Sequence, residues 1–172
     1  MAHVTLLNFP AESLIADAVP VVGGDGIGVL KHLQGAWFWA LDDTEEEAVI
    51  TPRVKMPGQY AGGTLKATVW GMFQTETTAT DEAVIDVSVE AITQGDGVDM
   101  DAGTSFDAVN QGEIDPPDTA GKEAAIDITL TNKDSVAAGD YVRFGIRRDC
   151  DEGDDTATDD FYLGGIEIWE DT

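Results

Sequence analysis

Cysteine is nearly absent from this sequence. The one cysteine, Cys150, has no partner among the 172 residues, so the chain cannot form an internal disulfide and is not a disulfide-stapled scaffold. It stands among Asp149, Asp151 and Glu152, whose charges disfavour its thiolate and argue against a nucleophilic role. No apolar run approaches the roughly 20 residues of a membrane span, and the first residues lack the basic and apolar parts of a signal peptide. We therefore expect a soluble protein made in the cytoplasm, with no membrane partner.

Cations are scarce as well. Nine lysines and arginines stand against 34 aspartates and glutamates, which leaves a formal charge of −25. Such a field repels phosphate backbones, so nucleic acid is not expected as a partner. Because apolar residues still make up 42% of the chain and alternate with the acids, the charge does not indicate disorder. It indicates an acidic surface, suited either to a saline (halophilic) habitat or to a cationic partner.

Helical spacing of apolar residues is also missing, and alternation with period two takes its place. In residues 63–73, the side chains of Leu65, Ala67, Val69 and Phe73 share one face of a predicted strand. This clear alternation makes the segment the most definite strand of the chain.

Residues 82–92 form the next predicted strand, with Asp86, Ser88 and Glu90 on its outward face. We expect residues 74–81 to join these two strands as an antiparallel pair. Further strands are predicted at 124–130, 142–147 and 161–170, and from weaker patterns at 4–9, 28–33, 36–41 and 48–54.

About eight strands separated by polar loops favour a single antiparallel β-sandwich of jelly-roll type over residues 1–172. Pro52 indicates an edge or a break in the strand that contains it, and the pair Gly164 and Gly165 indicates a bulge. A short helical turn is expected within residues 11–18. Residues 93–122 and 149–160 are expected to be long polar connections.

Two acidic loops suggest a calcium site. Asp99 and Asp101 in the first loop, and Asp149 and Asp151 in the second, offer closely spaced carboxylates near a glycine. Neither loop has the EF-hand spacing, because a glycine stands where the third ligand belongs. The alternative is that both are solvated acidic loops, and no other cofactor is predicted.

Three consecutive aromatic residues, Trp37, Phe38 and Trp39, must alternate between the two faces of a strand. One interpretation places Trp37 and Trp39 in the core and Phe38 on the other sheet face or in a subunit contact. The other is a sugar-stacking platform, as in a carbohydrate-binding module. We favour the first interpretation and keep the second open.

The basic residues cluster around Arg143 and Arg147, which alternation places on one strand face. We expect them to pair with carboxylates of this chain or of a neighbouring subunit. Neither His3 nor His32 has a serine or cysteine partner at a recognisable spacing, and carboxylate pairs are not diagnostic in so acidic a chain. The chain is therefore not expected to be an enzyme.

Four segments resemble small structural proteins of tailed, marine-type bacteriophages. They read VTLLNFP at 4–10, MPGQYAGGTLKATVW at 56–70, GDYVRFGIRRD at 139–149 and LGGIEI at 163–168. The resemblance implies a jelly-roll subunit of the virion, made in the host cytoplasm and often trimeric. The acidity of this chain and its segment 95–121 depart from that pattern.

This resemblance leads to the first functional hypothesis, a capsid-associated decoration or shell subunit. Such a subunit acts through contacts with copies of itself, as a homotrimer, and with other capsid or virion proteins. The alternative is a carbohydrate-binding module of a tail or head fibre that contacts the host surface. The fold alone does not choose between the two.

Overall fold

The structure of the protein is a computed structural model that describes residues 2–16, 26–97 and 105–172. The described residues form thirteen strands and one turn of 3₁₀ helix, Ala11–Ser13. The strands are β1 (His3–Pro10), β2 (Ile15–Ala16), β3 (Gly26–Ile27), β4 (Val29–Leu33), β5 (Ala36–Leu41), β6 (Glu47–Ile50), β7 (Val54–Lys55), β8 (Thr64–Phe73), β9 (Ala83–Ile92), β10 (Asn110–Ile114), β11 (Glu123–Thr129), β12 (Tyr141–Arg148) and β13 (Phe161–Asp171). No helix in this described part of the chain is both long and apolar enough to cross a bilayer.

The strands form two sheets that pack face to face. Sheet A has the order β11-β8-β13-β5-β4, with β1 also alongside β13. Sheet B has the order β10-β9-β12-β6-β2, with β7 alongside β12 and β3 alongside β6. The described pairs are antiparallel except for the short contact of β3 with β6. From β8 onward the chain passes repeatedly from one sheet to the other, so the predicted antiparallel jelly-roll sandwich is confirmed.

The core lies between the sheets and is made by the inward half of each alternating strand. On β8, Leu65, Ala67, Val69 and Phe73 are at most 1% exposed, as the alternation predicts. Inward residues of β12 and β13 complete the same cluster. Each large apolar side chain buried in this way contributes roughly 1.5–3 kcal/mol, and their sum offsets the entropy lost on folding.

The predicted pairing of residues 63–73 with residues 82–92 is wrong. β8 lies in sheet A between β11 and β13, whereas β9 lies in sheet B between β10 and β12. The connection between them crosses from one sheet to the other. Alternation specifies which face of a strand is buried but not which strand pairs with it, so a local hairpin and a crossover have the same sequence pattern.

The weaker strand predictions need smaller corrections. The break expected at Pro52 is confirmed, because β6 ends at Ile50 and β7 begins at Val54. The helical turn expected within 11–18 covers only Ala11–Ser13, and residues 17–18 lie outside the described residues. β10 lies inside the segment predicted to be a polar connection. It was missed because its sequence, NQGEI, has a single large apolar residue.

Candidate functional site

One edge of β13 changes its partner part way along the strand. Residues from Phe161 to Leu163 pair with β5, and from Gly165 onward the same edge pairs with β1. Gly164 has no partner in the ladders between the described strands, and the register with β8 shifts at the same point. The bulge predicted from the glycine pair is therefore confirmed. A cleft opens where β5 and β1 diverge from each other.

The indole of Trp70 explains why glycines stand at this bulge. A Cβ atom on Gly164 would lie 2.1 Å from Cζ3 of Trp70, and one on Gly165 would lie 2.8 Å from its Cζ2. The benzo ring therefore rests directly on glycine backbone, which leaves no room for a larger residue. This contact holds the half-buried ring of Trp70 at the side of the cleft.

The cleft has a volume of about 270 Å³ and an aromatic lining. We call it the aromatic cleft and define it by Trp37, Phe38, Trp70 and Glu12, with Gly164 at the bulge. Of the described residues that line it, Glu12 is the only charged one. Because Phe38 and Trp70 both point outward from sheet A, the site combines two ring surfaces with one carboxylate.

The three aromatics of β5 have three different environments. Trp39 is 6% exposed, and its Nε1 donates a hydrogen bond of 2.9 Å to the carbonyl of Ala11, so its predicted core position is confirmed. Phe38 lies on the opposite strand face, as predicted, and is half-buried. Trp37 is 44% exposed, so its predicted core position is wrong.

The reason lies in the hairpin of β4 and β5, whose turn end carries Trp37. There Trp37 is paired with His32, with 4.8 Å between ring centroids, and both side chains face the side of sheet B. The sequence correctly predicts the strand face of Trp37. Whether the second sheet reaches far enough to cover that face depends on the packing of the two sheets.

A second cavity adjoins the aromatic cleft. It has a volume of about 430 Å³ and shares Ala36 and Phe38 with the cleft. We call it the glutamine cavity and define it by its remaining lining residues, Leu33, Gln34, Met72, Gln74 and Gly121. Sequence reasoning missed it because its residues come from three distant parts of the chain.

The outer face of sheet B is organised around arginines. The carboxylate of Glu90, which is 1% exposed, accepts hydrogen bonds from Arg53 and Arg143. The guanidinium of Arg147 contacts Asp86, and it lies 2.8 Å from a carboxylate oxygen of Asp149. The predicted pairing of Arg143 and Arg147 with carboxylates is therefore found within this chain.

Asp86, Ser88 and Glu90 point outward from the sheet, as the alternation predicts, but all three are at most 3% exposed. Burial opposes ionisation of Glu90, yet hydrogen bonds from Arg143 and Arg53 outweigh it and lower the pKa of Glu90 to about 2. Burial raises the pKa of Asp86 above its ordinary value, with the charge of Arg147 acting in the opposite direction. The two acids at these outward positions thus form ion pairs that are shielded from water.

Glu46 is a further acid that pairs with Arg147 on the outer face of sheet B. It lies 2.9 Å from Arg147, and burial together with a hydrogen bond to Asp149 raises the pKa of Glu46 to about 6. Three acids, Glu46, Asp86 and Asp149, therefore share the single positive charge of Arg147.

The acidic loop of residues 149–160 is held by arginines. Asp149 contacts Arg147, and Asp155 accepts two hydrogen bonds, of 2.7 and 3.0 Å, from the fully buried guanidinium of Arg148. Asp151 is exposed. Asp99 and Asp101 lie outside the described residues. Calcium binding at either loop stays a prediction.

Cys150 lies in the same loop. Burial, together with the charges of Asp151 and Asp155, raises the pKa of its thiol to about 11. This agrees with the expectation that its thiolate is disfavoured.

A different acidic group appears near the start of β6. Among the described residues, Asp42, Asp43 and Asp160 have carboxylate oxygens within 4.8 Å of one another. The ammonium of Lys31 lies 3.5 Å from Asp160, so a side chain of the protein already supplies a positive charge to these carboxylates. Sequence reasoning missed it because Asp160 is far from the other two along the chain.

Comparison with known proteins identifies no family for this chain. No family model matches the chain, and no curated protein matches it. The carbohydrate-binding module TmCBM27, described for specific mannan recognition, aligns over 100% of both chains with a TM-score of 0.48 and 10% identity.

Two further solved structures align over 99% of this chain. The CBM22-1 and GH10 modules of Clostridium thermocellum endo-1,4-beta-D-xylanase 10B, complexed with xylohexaose, give a TM-score of 0.43 and 12% identity, and this chain spans 28% of that one. The K1 cleaved adhesin domain of Lys-gingipain from Porphyromonas gingivalis gives 0.41 and 15%, with 98% of that domain covered. The resemblance to phage structural proteins, the virion location and the homotrimer stay predictions.

Proposed function

We propose that this protein is a non-catalytic carbohydrate-binding module and that the aromatic cleft is its binding site. The observation that supports this most directly is the open cleft that Phe38 and Trp70 line from the outward face of sheet A, with Glu12 as the one carboxylate among its described lining residues. This is the alternative function that the sequence kept open, and the cleft supports it better than a role based only on contacts between subunits.

The chemistry of the lining matches a sugar ring. One side of a sugar ring is a patch of C–H groups, and this patch packs favourably on the face of an indole or phenyl ring. Its edges carry hydroxyl groups, which need hydrogen-bond partners when they leave water. Glu12 offers an acceptor-only carboxylate for those hydroxyls. Aromatic surface and carboxylate together supply both kinds of contact.

The same lining supports binding without cleavage. Hydrolysis of a glycosidic bond ordinarily needs two carboxyl groups on opposite sides of the bond, about 5–9.5 Å apart. Of the described residues that line the aromatic cleft, Glu12 is the one carboxylate. We therefore propose that the site binds a sugar chain without cleaving its glycosidic bonds.

The test is affinity electrophoresis and titration calorimetry against soluble mannan, xylan, hydroxyethyl cellulose and laminarin. We expect Trp70→Ala to weaken binding at least about tenfold, or about 1.4 kcal/mol, and Trp37→Ala to weaken it less, because the ring of Trp37 lies on the opposite strand face. Tyr141→Ala is the matched control, because Tyr141 is a partly exposed aromatic of sheet B beside Lys55. Absence of binding across the panel, or equal loss in the control variant, would refute the proposed function.

A further inference from the structure

We infer that the aromatic cleft and the glutamine cavity form one groove that selects an extended, uncharged sugar chain over a single sugar or an acidic polysaccharide. This inference rests on the proposed function and adds the length and the charge of the ligand.

The two cavities are continuous. Ala36 and Phe38 line both of them, so the ring of Phe38 lies between the two. Trp70 in the cleft and Met72 in the glutamine cavity are neighbouring outward positions of β8. Side chains two residues apart on a strand are about 7 Å from each other on the same face. A ligand that lies on Trp70 and extends along β8 therefore meets Phe38 and then Met72.

The volumes indicate a ligand longer than one sugar. The aromatic cleft, at about 270 Å³, is just below the usual range of small-molecule sites, which starts at roughly 300 Å³. The glutamine cavity adds about 430 Å³, and together they reach the middle of that range. A single sugar ring fills only one part of such a groove, so affinity should rise with chain length.

The polar lining suits hydroxyl groups along the length of a chain. Gln34 and Gln74 line the glutamine cavity, and each amide offers both donors and an acceptor. A sugar hydroxyl is also both donor and acceptor, so the amides can serve it in either direction. Gln34 is held in place by the tight turn between β4 and β5, in which its φ is 48° and that of Gly35 is 94°.

The charges indicate an uncharged chain. No lysine or arginine is among the described residues that line the two cavities, and Glu12 adds a negative charge at one end. Lys31, on the same sheet face, lies 3.4 Å from the hydroxyl of Tyr162 and 3.5 Å from Asp160. With a net charge of −25 behind it, the groove repels carboxylate or sulfate groups on a sugar chain.

The test of length uses manno-, xylo- and cello-oligosaccharides from one to six units in titration calorimetry. We expect the dissociation constant to fall at least about fivefold between the disaccharide and the hexasaccharide. Gln74→Ala should remove most of that gain, weakening hexasaccharide binding several times more than disaccharide binding. If chain length has no effect, or if Gln74→Ala weakens disaccharide and hexasaccharide equally, the extended groove is refuted.

The test of charge compares hydroxyethyl cellulose with carboxymethyl cellulose, which share a backbone and differ in charge. We expect binding of the carboxymethyl form to be at least about tenfold weaker at low salt, and Glu12→Gln to narrow the difference. Equal binding of both forms would contradict the charge selection. Loss of all binding in Trp70→Ala, together with a failed length or charge test, would leave the proposed function intact and refute this inference alone.

Discussion

The outward faces of the two sheets follow the same alternating pattern and have opposite characters. On β8 of sheet A, the outward residues Lys66, Thr68 and Trp70 are partly exposed, and Trp70 lines an open groove. On β9 of sheet B, the outward residues Asp86 and Glu90 are 1% exposed beneath arginines. A polar residue at an outward position is therefore exposed to water only where no oppositely charged side chain of the same chain covers it.

Arginines and lysines differ in their main partners, although Arg143 also lies 5.0 Å from the ring centroid of Phe106. Arg53, Arg143 and Arg147 all pair with acids of sheet B. Four lysines among the described residues instead lie over aromatic rings, with ammonium-to-centroid distances of 4.9 to 5.6 Å. The planar guanidinium matches two carboxylate oxygens at once, whereas an ammonium is a point charge that a ring face attracts. The few cations of this acidic chain are thus used where they neutralise buried acids or cover rings.

Removal of Glu90 should have the largest effect on this comparison. Glu90→Ala leaves Arg53 and Arg143 without the carboxylate that lies between them, and breaking such a buried pair costs on the order of 3–5 kcal/mol. Urea unfolding should show this as a large fall in the free energy of unfolding. Asp118→Ala is the matched control, because the Asp118 side chain is 85% exposed in its pair with Lys122, and its loss should cost at most about 1 kcal/mol. Equal effects of the two variants would contradict the conclusion that the ion pairs of Glu90 are shielded from water.

A methyl group at Gly164 should displace the indole of Trp70 on the outward face of sheet A. Gly164→Ala places a Cβ atom 2.1 Å from Cζ3 of Trp70, so the indole must move. We expect a loss of about 1–3 kcal/mol in stability and at least tenfold weaker sugar binding. Gly58→Ala is the control, since a Cβ at Gly58 would meet nothing within 4 Å. Unchanged affinity in Gly164→Ala would show that the position of Trp70 does not matter for binding.

The ionic face of sheet B should make stability depend on pH in two opposite ways. The pKa of Glu90 falls from 4.5 to about 2 in the folded state, so the unfolded chain binds more protons between these values and stability is lost as pH falls through them. The pKa of Glu46 rises from 4.5 to about 6, so the folded chain binds more protons there and stability is lost as pH rises from 4.5 to 6. From these two groups, we expect maximal stability near pH 4.5.

From the sizes of the two pKa shifts, the contributions are roughly 3 kcal/mol for Glu90 and roughly 2 kcal/mol for Glu46, and variants can separate them. Urea midpoints measured from pH 2 to pH 7 should show both slopes in the native sequence. Glu46→Gln should reduce the decline between pH 4.5 and 6, because glutamine has no proton to lose, and leave the acid slope in place. An undiminished decline in Glu46→Gln would assign it to another group, such as Asp86, whose pKa is also raised by burial.

Salt should have the smallest effect, and it should act on the exposed acids more than on sheet B. Screening weakens the repulsion among the exposed carboxylates of a chain with a charge of −25, whereas the buried arginine pairs are screened little. We expect the melting temperature to rise by roughly 2–4 °C between low salt and 1 M NaCl, equivalent to about 1 kcal/mol. A fall in melting temperature would argue against the saline-habitat hypothesis.

The sequence predicted the strands better than their partners. β8, β12 and β13 were predicted within one or two residues because each shows clear alternation. The pairing of β8 with β9 was wrong, since pairing depends on how the sheets close and not on the pattern within one strand. β10 was missed, because its burial comes from contact with β9 and not from its own apolar residues.

The candidate site was half visible in the sequence. The aromatic run of residues 37–39 marked one wall, and the glycine pair of residues 164–165 marked the bulge. Alternation with Val69 places Trp70 at an outward position, but nothing in the neighbouring sequence links Trp70 to glycines more than ninety residues later. Only the register of β8 against β13 brings the indole onto the bulge.

By itself, the sequence determined the fold class, the inward face of each long strand and the acidity of the surface, because these follow from side-chain period and composition. The tertiary structure alone decided which outward faces are dry and which are open, and where the strands separate to leave a groove. Those features depend on the partner that each strand edge takes and on how far one sheet extends beyond the other. Both depend on contacts between distant parts of the chain, which the local alternation of side chains does not specify.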